Sequence, residues 1–223
     1  MPTLLSMYVG TPQEQKSLLR VGRVRTQLWT TAIYKTPVSG PIWLRPEGLE
    51  GNQPADAFRH GGPDKVALAY SAEHYPLWQA ELGRPDFPHG AFGENFTVAG
   101  LDEDSVCVGD VWRVGNALTQ VAQPRSPCWK LARRWEMRDL PARVQKTGRT
   151  GWYLRVLQAG QVQVGDALEL VERPYPALTV AQTSGASAAR PPDLALWRAL
   201  AECAVLAPGW RGKFIRRLSE AGG

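Results

Sequence analysis

Short runs of β-branched and aromatic residues, broken every few positions by glycine, proline or polar residues, dominate the first 177 positions of the chain. Runs of this kind read as strands and their punctuation as turns. The pattern predicts strands over Thr3 to Val9, Val21 to Leu28, Thr31 to Tyr34, Lys65 to Tyr70 and Asn95 to Val98. Further strands are predicted over Ser105 to Val114, Ala117 to Ala122, Trp152 to Leu157 and Gln161 to Val171. Within Trp152 to Val156, alternation puts Trp152, Leu154 and Val156 on one face and Tyr153 and Arg155 on the other. Helices interrupt the series only twice, over Ala72 to Leu82 behind a Ser71 cap and from Cys128 to about Met137. The five-residue echo Val106-Cys107-Val108-Gly109-Asp110 and Val162-Gln163-Val164-Gly165-Asp166 marks two similar strand-turn corners.

After residue 177 the period changes. Leu194, Trp197, Leu200 and Ala204, then Trp210, Phe214 and Leu218, follow helical spacing. Pro191-Pro192 closes a small, polar linker before Asp193. The expected architecture is therefore mainly β: a closed or nearly closed barrel over residues 1–177, which removes exposed edges, with two or three short helices of residues 178–223 appended. The order of elements is not a βαβ alternation, so a doubly wound parallel sheet is not expected.

Composition adds limits to this picture. At 223 residues the chain is long enough to bury a core without staples. Three cysteines exclude a disulfide framework and suit a reducing cytoplasm. Neither a roughly 20-residue apolar span nor a secretory leader is visible, so no membrane association is expected. The net charge is +5, and arginine supplies 20 of the 26 basic side chains. Arginine forks suit phosphate and carboxylate partners. Residues 178–223 alone carry a net +3, which suits docking of an acidic partner. No nucleic-acid-binding motif accompanies the charge, and direct nucleic-acid binding is not expected.

The sharpest chemical signal is Gln123-Pro124-Arg125-Ser126-Pro127-Cys128-Trp129-Lys130. Ser126 as N-cap and Pro127 at the first helical position would put Cys128 in a first turn, with Arg125, Lys130 and Arg133 nearby. That setting favours a thiolate, either as nucleophile or as soft metal ligand. Cys107 and Cys203 sit among apolar neighbours and read as structural. A second signal is Arg59-His60-Gly61-Gly62-Pro63-Asp64-Lys65, a glycine-bearing loop that can aim His60, Asp64 and Lys65 at an anion. Gly93-Glu94-Asn95 can line a pocket with polar atoms, and Tyr153 and Arg155 face either solvent or a cleft. There is no C-x-x-C, no Walker loop and no G-x-G-x-x-G. A cysteine-nucleophile hydrolase or transferase with His60 as base stays open on these residues alone.

These motifs coincide with a known family. The segments Thr31 to Val38, His60 to Lys65, Phe92 to Asn95, Val108 to Asp110, Gln123 to Leu131 and Thr150 to Val156 run in the order of MOSC-domain proteins. Within that family (named for the C-terminal domain of molybdenum cofactor sulfurase) the chain resembles the YiiM-like branch, whose three-helix C-terminal module the tail matches. Asn52 stands where an acidic residue is frequent, Arg59 where a second His is frequent, and Trp129 where Tyr is usual. The resemblance implies a β-barrel that binds molybdenum cofactor, with Cys128 as protein ligand to Mo. It implies that Lys35, Lys65, Arg125 and Arg155 are available to the pterin phosphate, with His60, Asp64, Asn95, Ser126, Lys130 and Tyr153 in the same lining. It implies reduction of N-hydroxylated substrates such as hydroxylaminopurine bases, with electrons from a separate flavin- or iron-dependent reductase. A carrier or sensor of the cofactor is a non-catalytic alternative. A homodimer is compatible with all of these readings, and pyridoxal phosphate is not expected.

Overall fold

The computed structural model of the chain describes residues 1–18 and 27–221. Most of the predicted strand Val21 to Leu28 therefore lies outside the described residues. The first strands are β1 (Thr3–Val9), β2 (Gln13–Ser17), β3 (Gln27–Thr31), β4 (Thr36–Pro37), β5 (Ile42–Arg45) and β6 (Gly48–Leu49). Helix α1 (Ala57–His60) and a 3-10 turn (Pro63–Lys65) lead into β7 (Ala67–Ser71), α2 (His74–Leu82) and β8 (Phe96–Ala99). Then come β9 (Val111–Val114), β10 (Ala117–Pro124), α3 (Trp129–Trp135) and α4 (Leu140–Thr147). The strands end with β11 (Trp152–Gln158), β12 (Gly160–Val162) and β13 (Leu168–Glu172), and α5 (Val180–Gly185), α6 (Leu194–Glu202) and α7 (Pro208–Ala221) follow.

Eight strands form the main sheet in the order β13-β9-β10-β11-β7-β8-β1-β4. All neighbours are antiparallel except β7 and β8. That parallel pair needs a crossover, and α2 supplies it. Burial follows the predicted alternation in β11, where Trp152, Leu154 and Val156 enter the main core with Leu4, Met7, Phe96 and Val121. A second cluster, built on Tyr70, Trp78, Phe92 and Leu131, seats α2, α3 and α4 beside the sheet. A third joins Val108 of the body to Leu178, Trp197, Leu200 and Phe214 of the tail.

Among the described residues the sheet does not close, so the expected closed or nearly closed barrel is corrected to an open mixed sheet, whose two ends are β13 and β4. The bridge Thr3 to Ala167 and the backbone bonds from Leu4 N–H to Asp166 O, Gly165 N–H to Leu4 O and Leu168 N–H to Pro2 O (2.9 Å each) bring β1 near the start of β13. The run Gln161 to Val171, read as one strand, is cut at Gly165, whose φ is +94°. One half becomes β12 and pairs with β5; the other becomes β13 and pairs with β9. The run Ser105 to Val114 breaks in the same way at Gly109, whose φ is +86°. In both places the following aspartate accepts the N–H three residues back: Asp110 Oδ2 from Cys107 at 2.9 Å, Asp166 Oδ2 from Gln163 at 2.8 Å. The sequence echo is thus a repeated turn, and only Val111–Val114 of its first run is a strand.

The tail is three helices, within the two or three expected: α6 and α7 carry the periodic residues, and α5 precedes them. Thr179 and Gln182 form a capping box on α5, and the Asp193 side chain accepts the Leu196 N–H (2.9 Å) at the start of α6. Backbone bonds run from Val180 to Val106 O and from Ala207 to Ala122 O, so the helices are tied directly to the sheet. No helix among the described residues is long and apolar enough to cross a membrane.

Candidate active site

A cleft opens where the ends of β3, β10 and β11 meet the loops before β4, β7 and β8. Cys128, half-buried, stands in its wall. The residue is the N-cap of α3, in extended conformation (φ −123°, ψ 169°), and not a member of its first turn. The cause lies upstream: Arg125 N–H still bonds to Gly151 O at 3.0 Å, which keeps the chain extended alongside the start of β11 and delays the helix to Trp129. Ser126 is accordingly an exposed lining residue instead of the cap.

The cations around the thiol are unusually desolvated. Arg125 is 4% exposed; its Nη2 donates to Phe92 O at 2.9 Å, while its Nη1 is buried with no partner. His60 Nδ1 is likewise buried and unpartnered. Burial, then the positive charge of Lys130, lowers the His60 pKa to about 4, so the ring is neutral at physiological pH. Lys35 Nζ bonds to Asn52 Oδ1 at 3.0 Å, and loss of hydration lowers its pKa to about 7. A neutral amide at position 52 cannot offset that desolvation as a carboxylate would. Buried donors without acceptors are costly, about 1–3 kcal/mol each. Arg125 Nη1 is such a donor, His60 Nδ1 is a second unpartnered ring nitrogen, and both residues line one cleft, which points to a ligand that supplies hydrogen-bond partners.

Beneath the cleft floor lies a fully buried carboxylate, Glu94. It accepts from Gly90 N (2.6 Å), Phe92 N (3.1 Å) and Thr97 Oγ1 (3.1 Å), and from the Tyr75 hydroxyl. Arg134 braces the same loop, with Nη1 donating to Ile33 O at 2.6 Å and Gly90 O at 2.7 Å. Gly93, at φ +77°, is required here because a Cβ would come within 2.7 Å of Ile33.

A family model described as MOSC domain matches residues 56–169, just over half of the chain, and a YiiM-like three-helix domain matches residues 178–221. The chain belongs to the MOSC-domain family. It is 40% identical over 196 residues to protein YiiM of Escherichia coli strain K12, with 85% of each chain covered. It is 44% identical to an uncharacterized protein, YflK, of Bacillus subtilis strain 168, with 84% of each covered. A protein named reductase from Gibberella moniliformis is 37% identical, but only 34% of its length aligns. The crystal structure of YiiM from Geobacillus stearothermophilus superposes with a TM-score of 0.79 at 38% identity, covering 98% of this chain and 100% of that one.

Against this MOSC framework, nine of the anticipated site residues line the cleft: Lys35, His60, Lys65, Asn95, Arg125, Ser126, Cys128, Lys130 and Tyr153. Asn95 lines it but its amide is committed to structure, accepting from Leu68 N at 3.1 Å and donating to Tyr8 O at 3.0 Å. Asp64 and Arg155 are corrected: they pair with each other at 2.6 Å outside the lining, and Arg155 also donates to Gln120 Oε1 at 2.9 Å. An arginine already held by a carboxylate is a poor phosphate donor. Cys107 and Cys203 are buried, and burial raises both thiol pKa values, as inert thiols require. Arg134 and the bracing role of Glu94 escaped the sequence; the helix Trp129–Trp135 carries Lys130, Arg133 and Arg134, and nothing in that order marks Arg134 as the one that turns inward.

The residues present fit molybdenum cofactor. Among the described residues no group of three His, Cys, Asp or Glu side chains gathers to cage a bare metal. A lone cleft-facing thiol suits a metal that brings its other donors with it. Arg125 Nη1 and Lys130 supply donors of the kind a pterin and its phosphate require, and the neutral His60 ring adds one further hydrogen-bonding nitrogen.

Proposed function

We propose that the protein is a molybdenum-cofactor-dependent reductase of N-hydroxylated compounds, with hydroxylaminopurine bases the substrate class and a separate flavin- or iron-dependent reductase the electron donor. The observation that carries the reading is Cys128 in a cleft wall whose lining also holds two buried, unpartnered nitrogens, Arg125 Nη1 and His60 Nδ1. Bound cofactor would supply the two-electron chemistry at Mo, with Cys128 as protein ligand. The overall reaction joins the N-hydroxyl compound, two electrons and two protons, and yields the N–H compound and water.

The chain's own residues would do the rest. Arg125 and Lys130 hold the anionic end of the cofactor, and His60, kept neutral, offers or accepts one hydrogen bond without repelling them. Lys35, with a pKa of about 7, is half-protonated near neutrality and can release a proton to the leaving hydroxyl. Glu94 and Arg134 keep the Gly90 to Gly93 backbone fixed beneath these groups. A His60 pKa of about 4 makes a feeble general base, which weighs against the cysteine-nucleophile alternative. Protein expressed in a cofactor-competent host should carry about one Mo and one pterin per chain and reduce a hydroxylaminopurine with a chemical electron donor. Purified, folded protein that holds no pterin under those conditions refutes the reading.

A further inference from the structure

The cleft wall does not end with the sheet and its loops. A second cavity of about 340 Å³ adjoins the first and shares His60, Lys65, Ser126 and Tyr153 with it. Its far wall is helix α7, which contributes Gly209, Trp210 and Lys213. Arg59, Lys65 and Lys213 thus face one space, and no aspartate or glutamate is among its described lining residues. Nor does any of the three pair with a carboxylate among the described residues. Lys65 Nζ donates to the Arg59 backbone O at 2.6 Å, which fixes the Lys65 ammonium against the loop that carries Arg59. Lys213 Nζ lies 5.1 Å from the centre of the Trp210 ring, so an ammonium and an indole are presented together. The helix is set in place by the Ala207 N–H to Ala122 O bond (3.0 Å), one residue before the lining residue Gln123.

We propose that this second cavity is the anion subsite for the substrate, and that the substrate class it selects is a planar heteroaromatic compound bearing a phosphate, of the nucleoside monophosphate kind. The inference rests on the proposed reductase reading and narrows it. A free base would have no use for three cations that no carboxylate bridges, whereas a phosphate satisfies them with charge-assisted bonds. Trp210 and Tyr153 add aromatic surface to the lining of this cavity, and Tyr153 also lines the neighbouring cleft that holds Cys128, so a planar ring has aromatic contacts on the way from the phosphate to the thiol. Burial, and then the charge of Arg217, holds the Lys213 ammonium below its usual pKa, the state of a cation still waiting for a counter-charge. The C-terminal helices then have a direct place at the site, beyond the docking role that their net charge suggested.

Calorimetry on the full-length chain, with adenosine monophosphate and adenosine as unreactive probes, tests the idea. The monophosphate should bind roughly tenfold or more tightly than the nucleoside, because each charge-assisted bond is worth about that factor. Lys213→Ala should abolish most of the difference, Arg59→Ala should reduce it, and Lys213→Arg should retain it. Equal affinity for the two probes in the wild-type chain, or an unchanged monophosphate affinity in folded Lys213→Ala, overturns the inference. So does loss of pterin from Lys213→Ala, which would give the cavity to the cofactor. Pterin and Mo content measured on the same preparations separates the two claims. Mo retained with no phosphate preference sinks this inference alone, and no Mo with the preference intact sinks the reductase reading.

Discussion

Replacing Arg125 by methionine separates a binding role from a structural one. The substitution keeps a long apolar stem in a site only 4% exposed and removes the guanidinium. Two terms oppose each other in the empty protein. The bond from Nη2 to Phe92 O (2.9 Å) is lost, at a cost of about 1.5–3 kcal/mol for a charged donor. The burial of the unpartnered Nη1 is relieved, which returns about 1–3 kcal/mol. Repulsion also falls, since Arg125 is one of the charges that lower the pKa values of both Lys35 and His60. The terms nearly cancel, to within about 1 kcal/mol, and at this chain length that corresponds to a shift in Tm of roughly 2–4 °C. Affinity for an anionic ligand has no such cancellation and should fall roughly tenfold or more. Thermal unfolding followed by near-UV circular dichroism, with pterin content after dialysis on the same preparation, reads both quantities. A drop in Tm of about 10 °C or more would make Arg125 a strut of the Phe92 loop. Unchanged pterin content in the folded variant would show that the orphan nitrogen is not the ligand's donor.

Other outcomes follow from the same geometry. Cys128→Ser should remain folded and lose reductase turnover, while Cys107→Ser and Cys203→Ser keep turnover; an active Cys128→Ser protein would remove the ligand assignment. Lys35 titrates near 7 in the folded chain against an ordinary value of 10.5, so the folded state binds fewer protons in that window and gains stability as pH rises through it. Lys35→Met should abolish this gain, and urea unfolding of both proteins at pH 7 and pH 10 checks it; parallel pH responses would refute it. Gly93→Ala should be strongly destabilised, because its Cβ would meet Ile33 at 2.7 Å at a positive φ; a melting temperature within a degree of wild type would count against the close packing of this loop.

The parts of the fold that could be read from the residues were those where a local period met a single partner surface. The strand Thr3–Val9 and the alternation of Trp152, Leu154 and Val156 are of this kind, and so are the helical stripes of Trp197 and Phe214. The parts that could not be read depend on where a continuous apolar run is broken. Gly109 and Gly165 each turn the chain inside what looks like one strand, and the second turn sends β12 and β13 to different sheets. The open sheet follows from that division. The parallel pair β7 and β8 was hidden because one crossover helix among many turns does not set up a βαβ rhythm. At the site, the residues anticipated from the Cys128 and His60 motifs do converge, since both motifs sit on loops at one end of the sheet. Asp64 and Arg155 were indistinguishable from lining residues in sequence, because their mutual ion pair spans 91 positions. Lys213 and Trp210 reach the second cavity through tertiary packing of α7, which no local pattern encodes.

The central claim is that this cleft holds molybdenum cofactor through Cys128. Mo K-edge X-ray absorption on the cofactor-loaded wild type and on Cys128→Ser tests it most directly. The account predicts about one Mo per wild-type chain and one fewer sulfur in the Mo coordination shell of the variant. An identical sulfur shell in the two proteins, or a folded wild-type chain that takes up no Mo in a cofactor-competent host, would contradict it.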